Sequence, residues 1–96
     1  MRMLISLLVL AACDSPSAQF LGAERTEVRR DPFTYVVYAT DNAAEVIRLG
    51  YATPVQRETA LSDMQRLMSE VTGCRVIAGS IRGDSAALRA RLRCPD

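Results

Sequence analysis

Three cysteines and a run of arginines near the carboxy terminus are the residues of this chain with the most chemistry to offer. Residues 74–94 hold Arg75, Arg82, Arg89, Arg91 and Arg93 against a single acid, Asp84. Guanidinium groups grip phosphate and carboxylate in a forked geometry, so Arg75, Arg89, Arg91 and Arg93 on one strand face make a candidate anion-binding surface. The competing reading is a solvated face whose arginines pair with Glu45, Glu58 or Glu70. The 96 residues contain no histidine, which removes the usual general base and the commonest metal ligand. Cys74 and Cys94 lack both the partners of a zinc set and the spacing of a Cys-x-x-Cys redox pair. No Gly-x-Ser-x-Gly elbow, Walker loop or dinucleotide fingerprint is present. Gly79-Ser80-Ile81-Arg82-Gly83 brings two glycines near an arginine, but not at a strand-to-helix turn where a phosphate cradle forms. Asp31, Glu45 and Asp84 have no visible carboxylate partner, and Met64 and Met68 sit in an apolar stripe that reads as core. These observations point away from an enzyme, and no metal or cofactor is expected.

The amino terminus carries an address. Met1-Arg2 is a short positive start, Met3 to Leu10 an apolar segment, and Leu10-Ala11-Ala12-Cys13 closes it. This run resembles the lipobox of bacterial lipoproteins, in which a branched apolar residue and two small ones precede a cysteine. The resemblance covers the first 13 residues. It implies a signal peptide over 1–12, a diacylglycerol on the Cys13 thiol and cleavage just before it, so that the chain is held to a periplasm-facing membrane. A transmembrane helix fits less well, because a span needs about 20 apolar residues and Asp14-Ser15-Pro16-Ser17 ends the stretch. Asp14 resembles the inner-membrane retention signal of some Gram-negative lipoproteins; inner and outer membrane are both left open. Without Arg2, 11 arginines face 11 acids, and a neutral chain does not suit general nucleic-acid binding.

Around these residues the chain reads as one small domain. Residues 13–30 are polar and without sustained periodicity, and are expected to form a flexible tether, with Phe20-Leu21 undecided between membrane and domain. Phe33 to Ala39 is rich in β-branched and aromatic residues and predicts a strand after Pro32. Thr40-Asp41-Asn42-Ala43 has turn chemistry, with Asp and Asn tolerating left-handed backbone. Ala44 to Tyr51 then predicts a second strand in a two-residue hairpin; a helix capped at Asp41 is the alternative. Thr53-Pro54-Val55-Gln56 has the pattern of a capping box. Val55, Ala60, Leu61, Met64, Leu67, Met68 and Val71 follow at helical spacing, and Gly73 is the stop signal.

The last stretch predicts a hairpin turning at Gly83-Asp84-Ser85. That register sets Arg82 opposite Ala86, Ser80 opposite Leu88, Ala78 opposite Ala90, Val76 opposite Leu92 and Cys74 opposite Cys94. One face then holds Cys74, Val76, Ala78, Leu88, Ala90, Leu92 and Cys94. The other holds Arg75, Ile77, Gly79, Ile81, Arg89, Arg91 and Arg93. With Cys13 assigned to lipid and the chain exported, Cys74 and Cys94 are expected to pair. The expected architecture is α+β in two layers, ββαββ over 31–96: an antiparallel sheet of two hairpins on one helix, stapled by one disulfide. The function this supports is a lipid-anchored envelope protein with a non-catalytic structural or interaction domain, its partners the membrane and an envelope protein or anionic polymer. A binder of anionic lipid headgroups or acidic polymer through the arginine face is the alternative, and a small enzyme or enzyme inhibitor a distant third.

Overall fold

The computed structural model describes residues 16–95. The expectations for the signal segment and Cys13 lie outside the described residues. The fold is α+β in two layers. A mixed-length antiparallel sheet comprises β1 (Glu24–Arg30), β2 (Phe33–Ala39), β3 (Ala43–Leu49), β4 (Arg75–Val76), β5 (Arg82–Gly83) and β6 (Ala87–Arg93), with one helix, α1 (Pro54–Thr72), packed on one face. The strands run β1-β2-β3-β6-β4, and β5 also pairs with β6. The final strand therefore inserts between the first hairpin and the short edge strand β4.

The helix follows its sequence signals closely. Thr53 accepts the backbone N–H of Gln56, and the Gln56 side chain accepts the N–H of Thr53 in return, completing the capping box. Gly73 ends the helix in left-handed backbone at φ 73°. Ala60, Met64, Leu67 and Met68 are fully buried against Tyr35, Val37, Val46, Leu88, Ala90 and Leu92. Val55 departs from the expected stripe: it lies in the first turn, before the helix crosses the sheet, and is 77% exposed. The β2–β3 hairpin has the expected register, Ala39 opposite Ala44, and Thr40 N–H donates to Ala43 O. Asp41 and Asn42 nevertheless keep negative φ, so the left-handed backbone expected of the turn is not used.

Three expectations are corrected. Residues 24–30 are not tether but strand β1, paired along all seven residues with β2 from Glu24–Ala39 to Arg30–Phe33. Its sequence is mostly charged because it is an edge strand; the apolar β2 beside it supplies the hydrogen-bonding partner that its own residues do not advertise. The order of elements is thus βββαβββ: the expected ββαββ, with β1 added in front and the first strand of the last hairpin divided into β4 and β5. The carboxy-terminal hairpin is also not continuous. At its base the register is the expected one, with Val76 opposite Leu92 and Arg75 opposite Arg93, and Cys74 and Cys94 are disulfide-bonded. At its tip Arg82 lies opposite Arg89 and Gly83 opposite Leu88, three residues out of step. A 3-10 turn at Ala78–Ser80 absorbs the difference. The reversal runs from Asp84 to Ala87, closed by Asp84 N–H donating to Ala87 O, with the Asp84 carboxylate accepting the N–H groups of Ala86 and Ala87. Ile81 consequently packs on the helix-side core rather than on the arginine face, and Ala78 is exposed rather than buried.

Residues 16–23 form a strap rather than a free tether. They cross the sheet face opposite α1 through a 3-10 turn at Ala18–Phe20. Phe20 is 1% exposed and packs with Val36 and Tyr38, flanked by Ala23, Ala43, Ile47 and Leu49. The sheet thus has a large core under the helix and a smaller one under the strap.

Candidate anion-binding face

Alternation along β6 sends Leu88, Ala90 and Leu92 into the core and leaves Arg89, Arg91 and Arg93 exposed on the strap side. Arg75 sits directly opposite Arg93 at the sheet edge. The four arginines expected to share a face thus fall in two groups, Arg89 and Arg91 in one groove and Arg75 and Arg93 in another beside Cys94 and Pro95. The structure adds Arg82, which β5 places directly opposite Arg89. In the expected register Arg82 faced Ala86; the three-residue slip moves it beside Arg89. The weak strand-forming run Ala78-Gly79-Ser80 was the available sign that the strand breaks there.

Two of the three acids anticipated as partners, Glu45 and Glu70, are engaged elsewhere. Glu70 pairs with Arg30. Glu45 is opposite Arg89 on β3, yet it is only 2% exposed and its carboxylate accepts two hydrogen bonds from the strap, from Ser17 N–H and Ser17 Oγ–H, both 2.7 Å. A buried carboxylate needs such partners, and Ser17 supplies them where an arginine was expected. Two further arginines are neutralised within or beside β1: Arg25 with Glu27 at 3.3 Å and Arg29 with Asp31 at 2.9 Å. Among the described residues, Arg75, Arg82, Arg89, Arg91 and Arg93 form no ion pair.

Between the strap and the 3-10 turn lies an open groove of about 480 Å³, lined by Phe20, Gly79, Ser80, Arg82, Arg89 and Arg91. The floor is held by backbone bonds: Arg91 O accepts Ile77 N–H at 2.9 Å, and Ser80 Oγ accepts Arg91 N–H at 2.9 Å. Arg82 donates from Nη1 to the carbonyls of Gly79 and Ile81, which restrains one of the three guanidiniums lining the groove. No protein-family model matches the chain, and no curated protein or solved structure is significantly similar to it.

A second, narrower cavity of about 130 Å³ opens between β2 and the first turns of α1, lined by Phe33, Tyr35, Val55, Ala60 and Asp63. The Tyr35 hydroxyl is buried there without a hydrogen-bond partner among the described residues. Burial pushes its pKa up, and the Asp63 charge adds to the shift while Arg48 opposes it. Arg48 itself stacks 5.3 Å from the Phe33 ring centroid and bonds the Ser85 carbonyl, tying the hairpin tip to the sheet.

Proposed function

We propose that this chain is a lipid-anchored bacterial envelope protein whose disulfide-bonded α+β domain is a non-catalytic interaction module. The observation that carries the reading is the run Leu10-Ala11-Ala12-Cys13 at the end of a ten-residue apolar stretch behind Met1-Arg2. The Cys74–Cys94 disulfide supports it, because such bonds persist in oxidising compartments. Globomycin, or Cys13→Ala, is expected to abolish acylation and release the protein from membranes. Unchanged membrane attachment would refute the anchor.

A second reading concerns what the domain does once anchored: it binds anionic lipid headgroups or an acidic envelope polymer through the strap-side arginines. What favours it is the absence of any carboxylate paired with Arg75, Arg89, Arg91 or Arg93 among the described residues, while neighbouring arginines on β1 are paired. Replacing Arg89, Arg91 and Arg93 with glutamine is expected to weaken pull-down of acidic lipid or cell-wall material. Equal recovery would remove this reading.

A further inference from the structure

We propose that the groove between the strap and the Ala78–Ser80 turn is a phosphate site formed by Arg82, Arg89 and Arg91, turned toward the bilayer and occupied by the phosphate of an anionic phospholipid headgroup. The inference rests on the anchored reading above and deepens it.

The first argument is charge. Arg82 and Arg89 are cross-strand partners, which sets their Cα atoms roughly 5 Å apart. Arg91 is two residues along the same face, about 6.6 Å further. Like charges directly opposite one another destabilise a sheet, and among the described residues no carboxylate pairs with these three. The nearest acid in the sheet, Glu45, is occupied by Ser17 beneath the strap. A phosphate in the groove would relieve that repulsion and present several acceptor oxygens to forked donors. Arg82 is held by two loop carbonyls and the floor by Ser80, so the donors on that side are partly ordered before the ligand arrives.

The second argument is position. Ser17 is fixed on Glu45, the residue directly across from Arg89, and Phe20 of the strap forms one wall of the groove. Ser17 lies four residue steps from Cys13, a contour of at most about 14 Å. A lipid on Cys13 therefore keeps this sheet face near the headgroups, on a mount short enough for its arginines to come within a Debye length of them, about 8–10 Å. A freely hanging tether over residues 13–30 would impose no such orientation. The strap converts a leash into a short mount that selects the arginine face.

The test uses the full chain with Cys13→Ser, so that no acyl group contributes, and measures its partition onto phosphatidylcholine vesicles with and without phosphatidylglycerol. The apolar amino-terminal segment is common to every variant, so the increment due to phosphatidylglycerol isolates the charge term. R89Q/R91Q is compared with R57Q/R66Q, which removes equal charge from exposed positions of α1. Juxtamembrane basic residues contribute roughly fivefold each near an anionic surface, so R89Q/R91Q is expected to lower the increment tenfold or more, with R57Q/R66Q changing it less than twofold. R82Q alone is expected to lower it about fivefold. Equal losses in the two double variants, or none, would overturn the site. Complete competition by free inorganic phosphate at concentrations that leave R57Q/R66Q indistinguishable from the parent would also overturn it, by showing a soluble phosphate as the occupant. The anchored reading is judged separately, by the acylation of wild-type Cys13 in cells, so either can fail without the other.

Discussion

If the strap is part of the folded domain, Phe20→Ala must cost stability; if residues 16–23 were a tether, it would cost nothing. Phe20 is 1% exposed, over Val36, Tyr38, Ile47 and Leu49. An aromatic side chain buries about 150–250 Å², which at about 25 cal/mol per Å² corresponds to roughly 4–6 kcal/mol of transfer free energy. Truncating buried phenylalanines to alanine costs about 3–5 kcal/mol in well-enclosed cores. The strap is a single layer at the chain's end, and it can detach rather than keep a cavity. Detachment caps the loss at the strap's own net stability, which opposes an ordering entropy of about 1–2 kcal/mol per residue. The expected loss is therefore about 2–3 kcal/mol. It should be accompanied by a smaller dependence of unfolding free energy on urea, because part of the surface normally exposed on unfolding is already exposed. Urea titration of the full chain followed by circular dichroism measures both quantities. With no tryptophan present, tyrosine emission sums over three tyrosines, of which Tyr38 lies beneath the strap. A loss under about 0.5 kcal/mol with an unchanged slope, the behaviour of a surface substitution, would refute the strap.

Gly83→Ala tests the hairpin tip: Gly83 has φ +112°, and an added Cβ would lie 2.2 Å from the Ala87 carbonyl oxygen, so a loss of about 1–3 kcal/mol is expected in thermal or urea unfolding, and a neutral result would mean the turn is elsewhere. Replacing both Cys74 and Cys94 with alanine opens a loop with a 20-residue sequence separation and is expected to cost about 3 kcal/mol, with amide exchange rising first in Arg75–Ile77, which pair with the end of β6. Tyr35→Phe removes the unpartnered buried hydroxyl and is expected to raise stability by up to about 1 kcal/mol; a clear loss would show that the hydroxyl is satisfied by water. Asp84 has its pKa lowered by the N–H groups of Ala86 and then Ala87. Because the folded value lies below the unfolded one, its contribution is complete above the ordinary carboxylate range and fades as pH falls toward the folded value. Asp84→Asn should therefore flatten the acid limb of the stability–pH profile, and an unchanged limb would refute that assignment.

The elements that could be read from sequence are those whose local chemistry and tertiary role agree. Thr53, Pro54, Gln56 and Gly73 specify where α1 starts and stops without reference to anything else, and Ala60, Met64, Leu67 and Met68 bury as their spacing demands. The β2–β3 hairpin and the base of the carboxy-terminal hairpin follow from alternation and from the two cysteines. What could not be read depends on a partner distant in sequence. β1 has one apolar residue, Val28, packing toward the helix side, and becomes a strand because β2 offers it a full edge. Phe20 is one aromatic in a polar run, and only the patch of Val36 and Tyr38 gives it a place to go. The tip of the last hairpin was misplaced because a simple three-residue loop satisfied every visible constraint. The structure instead uses the positive φ of Gly83 and the Asp84 side chain to close a different turn, then recovers the register through Ala78–Ser80. Arg82 entered the candidate site through that slip.

Glu45 connects the two halves of the reading. It is a buried carboxylate in the middle of a sheet face, a position that would be costly unless its charge were met by donors. Two donors neighbour its place on β3: Ser17 from the strap, and Arg89, its cross-strand partner on β6. The structure gives the carboxylate to Ser17. Docking of the strap and the availability of Arg89 are therefore one choice rather than two. With the strap seated, Glu45 is satisfied from above and Arg89 is left facing the groove. With the strap lifted, Glu45 is uncovered beside Arg89, and charge pairing between direct cross-strand neighbours becomes the favourable arrangement. On the proposed reading, lifting the strap from the sheet would draw Arg89 away from the groove and weaken the anion site. If the groove binds an anionic headgroup as proposed, that grip is tied to the same two hydrogen bonds that hold Ser17 against the sheet.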